Sequence, residues 1–240
     1  MGKILIRVFL LSLTLLFYTS VSAEDDVKQS LLDFFVELSG GVLPADPAFG
    51  WNQTSDPCKW TGIECSKQGT IKRVALEGLG LAGTLDKVGI ICSVESISAL
   101  SVQDNRIGGE IPDAFSDCNH LTHLYFARNK LSGEVPDSIS SCLNNLKKLD
   151  VSNNNLSGEL PDLSKISGLV VFLAENNNLT GQIPQFDFAN LQKFNVSFND
   201  LGGPFPDLHG RFDASSLAGN PHLCGKPLPN PCAPSVVPVR

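Results

Sequence analysis

One pattern of residues recurs six times along this 240-residue chain. Its clearest copy runs from Leu146 to Pro161 and follows the scheme Leu-x-x-Leu-x-Val-x-x-Asn-x-Leu-x-Gly-x-Leu-Pro. The five strongest copies have asparagines at steps of 22 to 25 residues, namely Asn105, Asn129, Asn154, Asn177 and Asn199. Self-similarity at such a period is typical of a solenoid, in which each turn buries its apolar face only against its neighbours. The chain is therefore predicted to form one elongated domain with a long curved surface.

The spacing is that of a leucine-rich repeat, which begins each turn with a short strand. Side chains alternate along a strand, so Leu149 and Val151 are predicted to point inward, and Lys148, Asp150 and Ser152 outward. The recurrent asparagine is expected to bond the backbone of adjacent turns, because buried loop amides need partners. The predicted fold is an α/β leucine-rich repeat solenoid with a curved parallel sheet on its concave face.

Domain boundaries follow from where the repeat period starts and stops. Lys3 and Arg7 precede an apolar run and a small-residue cleavage site after Ala23, as in a secretory signal peptide. No later stretch reaches the length of about 18 apolar residues that a membrane span needs. The predicted segments are a signal peptide at 1–23, a helical N-terminal cap at 24–66, the six repeats at 67–208, a C-terminal cap at 209–232 and a linker tail at 233–240.

Seven cysteines in a secreted chain cannot all pair with one another. Two close pairs flank the repeats, and they are predicted to form the disulfides Cys58–Cys65 and Cys224–Cys232 that close the caps. The remaining three, Cys92, Cys118 and Cys142, lie within the array and are predicted to be reduced, as small buried residues.

Charge and motif content argue against several functions. The formal net charge of −7 becomes −9 once Lys3 and Arg7 leave with the signal peptide, which disfavours nucleic acid as a partner. Residues 78–83 match the glycine pattern of nucleotide-binding loops, but the repeat register makes Leu79 and Leu81 core positions, and no kinase motifs follow. No nucleophile, base or metal-ligand spacing stands out. We therefore predict no catalytic residue, metal, cofactor or nucleotide.

Three segments carry a resemblance to plant leucine-rich repeat receptor-like kinases. Trp51 to Cys65 resembles their N-terminal cap, Leu131 to Pro136 matches the plant-specific repeat, and Leu217 to Leu228 resembles the C-terminal cap that precedes their membrane span. The short array is most similar to the short-ectodomain members, which include pollen receptor-like kinases and relatives whose kinase is thought inactive. The resemblance implies a single-pass plasma-membrane receptor, of which this chain carries neither the span nor the kinase.

A partner is expected on the outward strand residues, which the register arranges in three rows. The first row is Arg73, Ala99, His123, Lys148, Val171 and Lys193; the second is Ala75, Ser101, Tyr125, Asp150, Leu173 and Asn195; the third is Glu77, Gln103, Ala127, Ser152, Glu175 and Ser197. Apolar residues among charges are typical of interface centres, although scattered exposed apolar residues are also normal. The predicted binding residues are His123, Tyr125, Lys148, Asp150, Val171, Leu173 and Glu175.

The predicted partner is a secreted peptide or another receptor ectodomain, bound on the concave face or the lateral edge. Two other interpretations remain open at this point. One is a free secreted inhibitor of cell-wall enzymes, resembling pectinase-inhibiting repeat proteins. The other is a pseudo-receptor or coreceptor. Four glycosylation sequons begin at Asn52, Asn155, Asn178 and Asn195, and the last of these lies in the second row.

Overall fold

The computed structural model of the protein describes residues 26–41, 49–115, 118–184, 188–205, 210–226 and 228–232. The predicted signal peptide and linker tail lie outside these residues. Helix α1, at residues 26–38, carries the apolar stripe expected in the N-terminal cap. Its side chains Leu31, Phe34, Phe35 and Leu38 are fully buried, because they cover the first turn of the repeat array.

Besides α1, the described residues form twelve short strands, two short α-helices and three 3₁₀ helices, the last at Pro57–Lys59, Leu163–Lys165 and Ala214–Ser216. The two α-helices are α2 (Gly89–Cys92) and α3 (Asp137–Cys142). In chain order the strands are β1 (Ile63–Cys65), β2 (Ile71–Ala75), β3 (Ala99–Ser101), β4 (His123–Tyr125), β5 (Ser132–Gly133), β6 (Lys148–Asp150), β7 (Asn155–Glu159), β8 (Val171–Leu173), β9 (Asn178–Thr180), β10 (Lys193–Asn195), β11 (Gly202–Pro204) and β12 (His222–Cys224).

The main sheet has the strand order β1-β2-β3-β4-β6-β8-β10. Strand β1 is antiparallel to β2, and every following pair is parallel, so each repeat adds one strand to the same sheet. A second set of parallel strands, β5-β7-β9 and β11-β12, runs along the Leu-x-Gly segments of the repeats. The predicted leucine-rich repeat solenoid and its parallel sheet are confirmed.

The recurrent asparagines tie each turn to the preceding one. The Asn199 side-chain amide donates to the carbonyls of Ala174, one turn back, and of Val196 in its own turn, at 2.9 and 3.1 Å. Its Oδ1 accepts from the amide of Leu179 at 3.0 Å. Equivalent bonds occur at Asn105, Asn129, Asn154 and Asn177. Asn220 makes the same bonds in the C-terminal cap, so these stacked asparagines form a ladder that extends one turn beyond the predicted repeats.

Each end of the array is closed by aromatic packing and a disulfide. In the N-terminal cap, the ring of Trp51 lies 4.4 Å from that of Phe35 and 4.7 Å from that of Trp60. Helix α1 meets the array at Gly83, where a Cβ atom would stand 1.7 Å from the carbonyl oxygen of Glu37, so only glycine fits this contact. Both predicted cap disulfides, Cys58–Cys65 and Cys224–Cys232, are present.

The prediction that Cys92 and Cys118 are reduced was wrong, because these residues form a third disulfide. Cys92 ends helix α2, in the stretch that interrupts the repeat period, and Cys118 lies on the next turn. Stacking of the two turns brings their Cα atoms to 4.5 Å, within the range that a disulfide spans. Cys142 is the free cysteine among the described residues, in agreement with the prediction for that position.

Replacing Asn199 with leucine should destabilise the solenoid by about 2 kcal/mol or more, because it leaves the buried amide of Leu179 without a partner and removes one of the two side-chain donors to the carbonyls of Ala174 and Val196. Urea unfolding followed by circular dichroism measures the loss. The matched control is Asn119→Leu, at an exposed position outside the ladder. Equal, small losses in both variants would contradict the role of the asparagine ladder.

Replacing Cys92 and Cys118 together with alanine should cost roughly 3 kcal/mol, the loop-closure effect of a bond that spans 26 residues. Cys142→Ala is the control and should leave stability almost unchanged. Peptide mapping without reduction should recover the Cys92 and Cys118 peptides linked to each other. Recovery of a Cys118–Cys142 link instead would refute the pairing.

Candidate partner-binding face

Strand pairing aligns the predicted binding residues in rows across the concave sheet. In the first row His123 pairs with Lys148, and Lys148 pairs with Val171. In the second row Tyr125 pairs with Asp150, which in turn pairs with Leu173. The structure therefore places six of the seven predicted residues on three adjacent strands, and Glu175 follows the last of them by two positions.

The apolar members of this face are half-buried. Tyr125, Val171 and Leu173 all keep part of their side chains accessible, while the alternating Leu124 and Phe172 belong to the core. The ring of His123 lies 6.2 Å from that of Tyr125 on the same strand. Apolar side chains thus lie on β4 and on β8, with Lys148 and Asp150 of β6 between them, on a sheet whose backbone is held by its neighbours on both sides.

The first row forms a basic edge. Burial lowers the pKa of His123, and the positive charges of Lys148, Lys147 and Arg73 lower it further. The Nδ1 atom of His123 lies 2.7 Å from the hydroxyl of Thr122. A lowered pKa keeps this imidazole neutral at physiological pH, so the positive charge of this edge comes from its lysines and arginine.

The second and third rows carry the acidic groups. The Asp150 carboxylate accepts from the hydroxyl and the backbone amide of Ser152, at 2.7 and 3.1 Å. Burial raises the pKa of Glu175, a hydrogen bond with its own backbone offsets part of that rise, and the nearby negative charge of Asp150 adds to it. Within the described part of the chain, the buried Oε2 atom of Glu175 has no hydrogen-bond partner. The face is therefore basic along one edge and acidic along the other.

Sequence reasoning missed Phe198, which is 59% exposed and borders the concave face. It precedes a ladder asparagine, at a position where other repeats also adopt positive φ, and its own φ is 56°. In the other turns this position holds polar residues that bond one another: Arg128 forms an ion pair with Asp104, and the Asn176 amide donates to Asn153 at 3.0 Å. Comparison of the residues that precede each ladder asparagine in the sequence would have identified Phe198 as the apolar exception.

Comparison with known proteins places these features in a family. The Leucine rich repeat N-terminal domain matches residues 24–66, and the Leucine rich repeat matches residues 95–158. Pollen receptor-like kinase 2 of Arabidopsis thaliana is 32% identical over 223 residues, which cover 92% of this chain and 33% of that protein. A structure in the BIR3–SERK2 complex of Arabidopsis thaliana is 30% identical, with a TM-score of 0.56, and covers 82% of this chain and 90% of that one.

The chain belongs to the plant leucine-rich repeat receptor-like kinase family. The crystal structure of a Pollen Receptor Kinase 3 covers 82% of this chain and 98% of that one, at 29% identity and a TM-score of 0.71. The ectodomain of GASSHO1/SCHENGEN3 from Arabidopsis thaliana, solved in complex with CASPARIAN STRIP INTEGRITY FACTOR 2, is 34% identical with a TM-score of 0.56, and covers 60% of this chain and 18% of that one. The receptor-like kinase ectodomain described here spans a third or less of the curated relatives that it matches first.

The described residues of this receptor-like kinase ectodomain form the repeat solenoid and its caps, and no kinase domain. Among them no helix is long and apolar enough to cross a membrane, and no three His, Cys, Asp or Glu side chains converge to hold a metal ion. In the glycine run at residues 78–83, Leu81 is buried and Gly83 packs against helix α1, whereas Gly78 and Gly80 are exposed and have positive φ.

The four sequons occupy different surfaces of the ectodomain. Asn52, Asn155 and Asn178 are exposed, whereas Asn195 is half-buried on strand β10 of the concave sheet. The Oδ1 atom of Asn195 accepts from the backbone amide of Ser197 at 3.0 Å. Occupancy of these sequons remains a prediction, and a glycan at Asn195 would bound the partner-binding face on its C-terminal side.

Glu175→Gln should make the ectodomain more stable at pH 7.5 and equally stable near pH 4. The raised pKa means that the folded state holds this proton more tightly than the unfolded state, so stability falls as pH rises from about 4.5 through the folded pKa. Urea unfolding at both pH values measures the difference. Glu134→Gln removes the same charge from outside the face, and an equal gain in that control would attribute the effect to net charge.

Proposed function

We propose that this chain is the non-catalytic recognition module of a receptor-like kinase, and that its concave face binds a secreted peptide or another receptor ectodomain. The module would act at the outer surface of the plasma membrane or in the apoplast. Support for location comes from the predicted signal peptide, from cap disulfides that suit an oxidising compartment, and from the family.

The observation that carries the proposal is the set of half-buried apolar residues Tyr125, Val171 and Leu173, which lie on β4 and β8 on either side of Lys148 and Asp150 in one rigid sheet. Apolar anchors surrounded by charges are the usual arrangement at the centre of a protein interface. Because the strands are fixed by the asparagine ladder, this surface is formed before a partner arrives, which lowers the entropic cost of binding.

The relatives support the choice of partner class. The GASSHO1/SCHENGEN3 ectodomain is in complex with CASPARIAN STRIP INTEGRITY FACTOR 2, and BIR3 is in complex with SERK2. These two kinds of assembly are the two arms of the proposal. A coreceptor or pseudo-receptor role falls within the second arm, since it also requires contact with another ectodomain.

Replacing Tyr125 and Leu173 together with alanine should weaken binding of a genuine partner by well over tenfold, because truncating interface anchors typically costs about 2 kcal/mol or more. The measurement is surface plasmon resonance of the secreted chain against an immobilised panel of plant secreted peptides and receptor ectodomains. The fold should survive, since neither residue belongs to the core.

The control for this experiment is Glu134→Ala with Asp137→Ala, on the outer side of the solenoid, which should change binding less than twofold. Loss of binding in the control, with full binding by the concave variant, would move the working surface to the outer side. A Phe198→Ser variant tests the lateral edge in the same assay, because it removes the exposed ring that borders the concave face.

A further inference from the structure

Two glutamates occupy equivalent positions in the third row but have different surroundings. The carboxylate of Glu77 is paired with Arg73, at 3.0 Å between Oε1 and Nη2. Arg73 stands in the first row of that repeat, four residues before Glu77. In the repeat that contains Glu175, the first-row residue is Val171, and the second-row residue is Leu173 in place of Ala75. At the row position where Glu77 has the guanidinium of Arg73, Glu175 therefore has the apolar residue Val171.

The half-buried Glu175 carboxylate is consequently only partly compensated by this chain, through a hydrogen bond with its own backbone. Its Oε2 atom is buried and has no hydrogen-bond partner among the described residues, and none of the ion pairs found there includes Glu175. Lys148 and Lys193 flank Val171 in the first row, yet neither reaches the carboxylate. An unpaired carboxylate out of water is costly, and a cation that supplies both charge and donors relieves that cost.

The charge pattern of the face fixes where a cation would be accepted. The first row carries Arg73, Lys148 and Lys193, so it repels a second positive group. Asp150, which lies between Tyr125 and Leu173 in the second row, is close enough to Glu175 to raise its pKa. Asp150 retains accepting capacity beyond its bonds to Ser152, because a carboxylate offers about four lone-pair sites.

We propose that Glu175, with Asp150, receives an arginine or lysine side chain of an extended peptide ligand, whose aliphatic stem or apolar neighbour packs on Val171 and Leu173. The inference rests on the proposed function and names the ligand class: a secreted peptide with a basic residue beside an apolar one. The ligand cation takes the place that Arg73 takes against Glu77. Arginine fits best, because its planar fork can engage a carboxylate through two parallel bonds.

The test begins with a random heptapeptide library displayed on phage and selected on the secreted chain. Selected sequences should be enriched in arginine or lysine next to an apolar residue. The strongest binder is then synthesised with its basic residue as arginine and as citrulline, which has the same shape without the charge. Isothermal titration with the wild-type chain should show a loss of about tenfold or more on exchange to citrulline, the effect of one charge-assisted hydrogen-bonded pair.

The Glu175→Gln variant completes a double-mutant cycle with these two peptides. It should weaken the arginine peptide by about tenfold, and exchange to citrulline should then cost less than about twofold, because the partner of the cation is already gone. Glu134→Gln is the matched control outside the face, and it should retain the full preference for arginine over citrulline.

A second variant, Val171→Arg, keeps Glu175 but places an arginine of the chain itself beside it, as Arg73 lies beside Glu77. It should lose the preference for arginine although Glu175 is intact, and Val171→Leu should keep it. Comparing these two variants shows whether the preference for arginine is lost because Glu175 is already paired or because the fold has changed. Near-identical circular dichroism spectra of the two variants establish that the fold is retained.

The outcomes separate this inference from the function on which it rests. Binders that lose affinity with Tyr125→Ala and Leu173→Ala, but show no preference for a basic residue, overturn the inference and leave the concave-face proposal standing. Binders that ignore those two substitutions as well overturn both. If the library yields no binder while a receptor ectodomain binds the same face, the peptide inference fails and the ectodomain arm of the function remains.

Discussion

The hydrogen bonds of the ladder asparagines set the geometry on which the whole ectodomain depends. Each side-chain amide joins carbonyls of two successive turns, and each Oδ1 accepts an amide of the preceding turn, as Asn199 does with Ala174, Val196 and Leu179. These bonds satisfy loop groups that the apolar core cannot satisfy. They also fix the offset between strands, so side chains one repeat apart stand side by side. The rows of the concave face are a consequence of this constraint.

The fixed offset between turns explains which structural features could be predicted from the sequence. Tyr125, Asp150 and Leu173 fell in one row as expected, because their place relative to the ladder asparagine is the same in every turn. The Cys92–Cys118 bond was not predictable in the same way, since the stretch before Cys92 departs from the period and folds into helix α2. Periodicity says nothing about where an insertion places its residues, so only the packed structure reveals the pairing.

The surroundings of Glu175 could be predicted from the sequence only in part. Its row position follows from the period, but its burial and raised pKa depend on which side chains stand beside it. Comparison of the first-row residues across repeats, Arg73 against Val171, would have indicated that this glutamate lacks an internal partner. Phe198 is similar, because the ladder identifies its position as left-handed, while the place of its ring depends on Gly219, where a Cβ atom would lie 2.6 Å from the Cδ1 atom of Phe198.

Buried polar atoms without a hydrogen-bond partner occur along the described solenoid, among them Arg73 Nε and Ser101 Oγ near its N-terminal end. In that half, the charges of Arg73 and Arg128 are nevertheless paired within the chain, with Glu77 and Asp104. In the second half, Glu175 keeps a buried oxygen without a partner, and the ring of Phe198 is mostly exposed in a backbone conformation that disfavours bulky side chains. An unpaired carboxylate oxygen and a bulky residue in the left-handed region both cost stability, and such features are retained where they serve function, so Glu175 and Phe198 are expected to lie within the surface that recognises the partner.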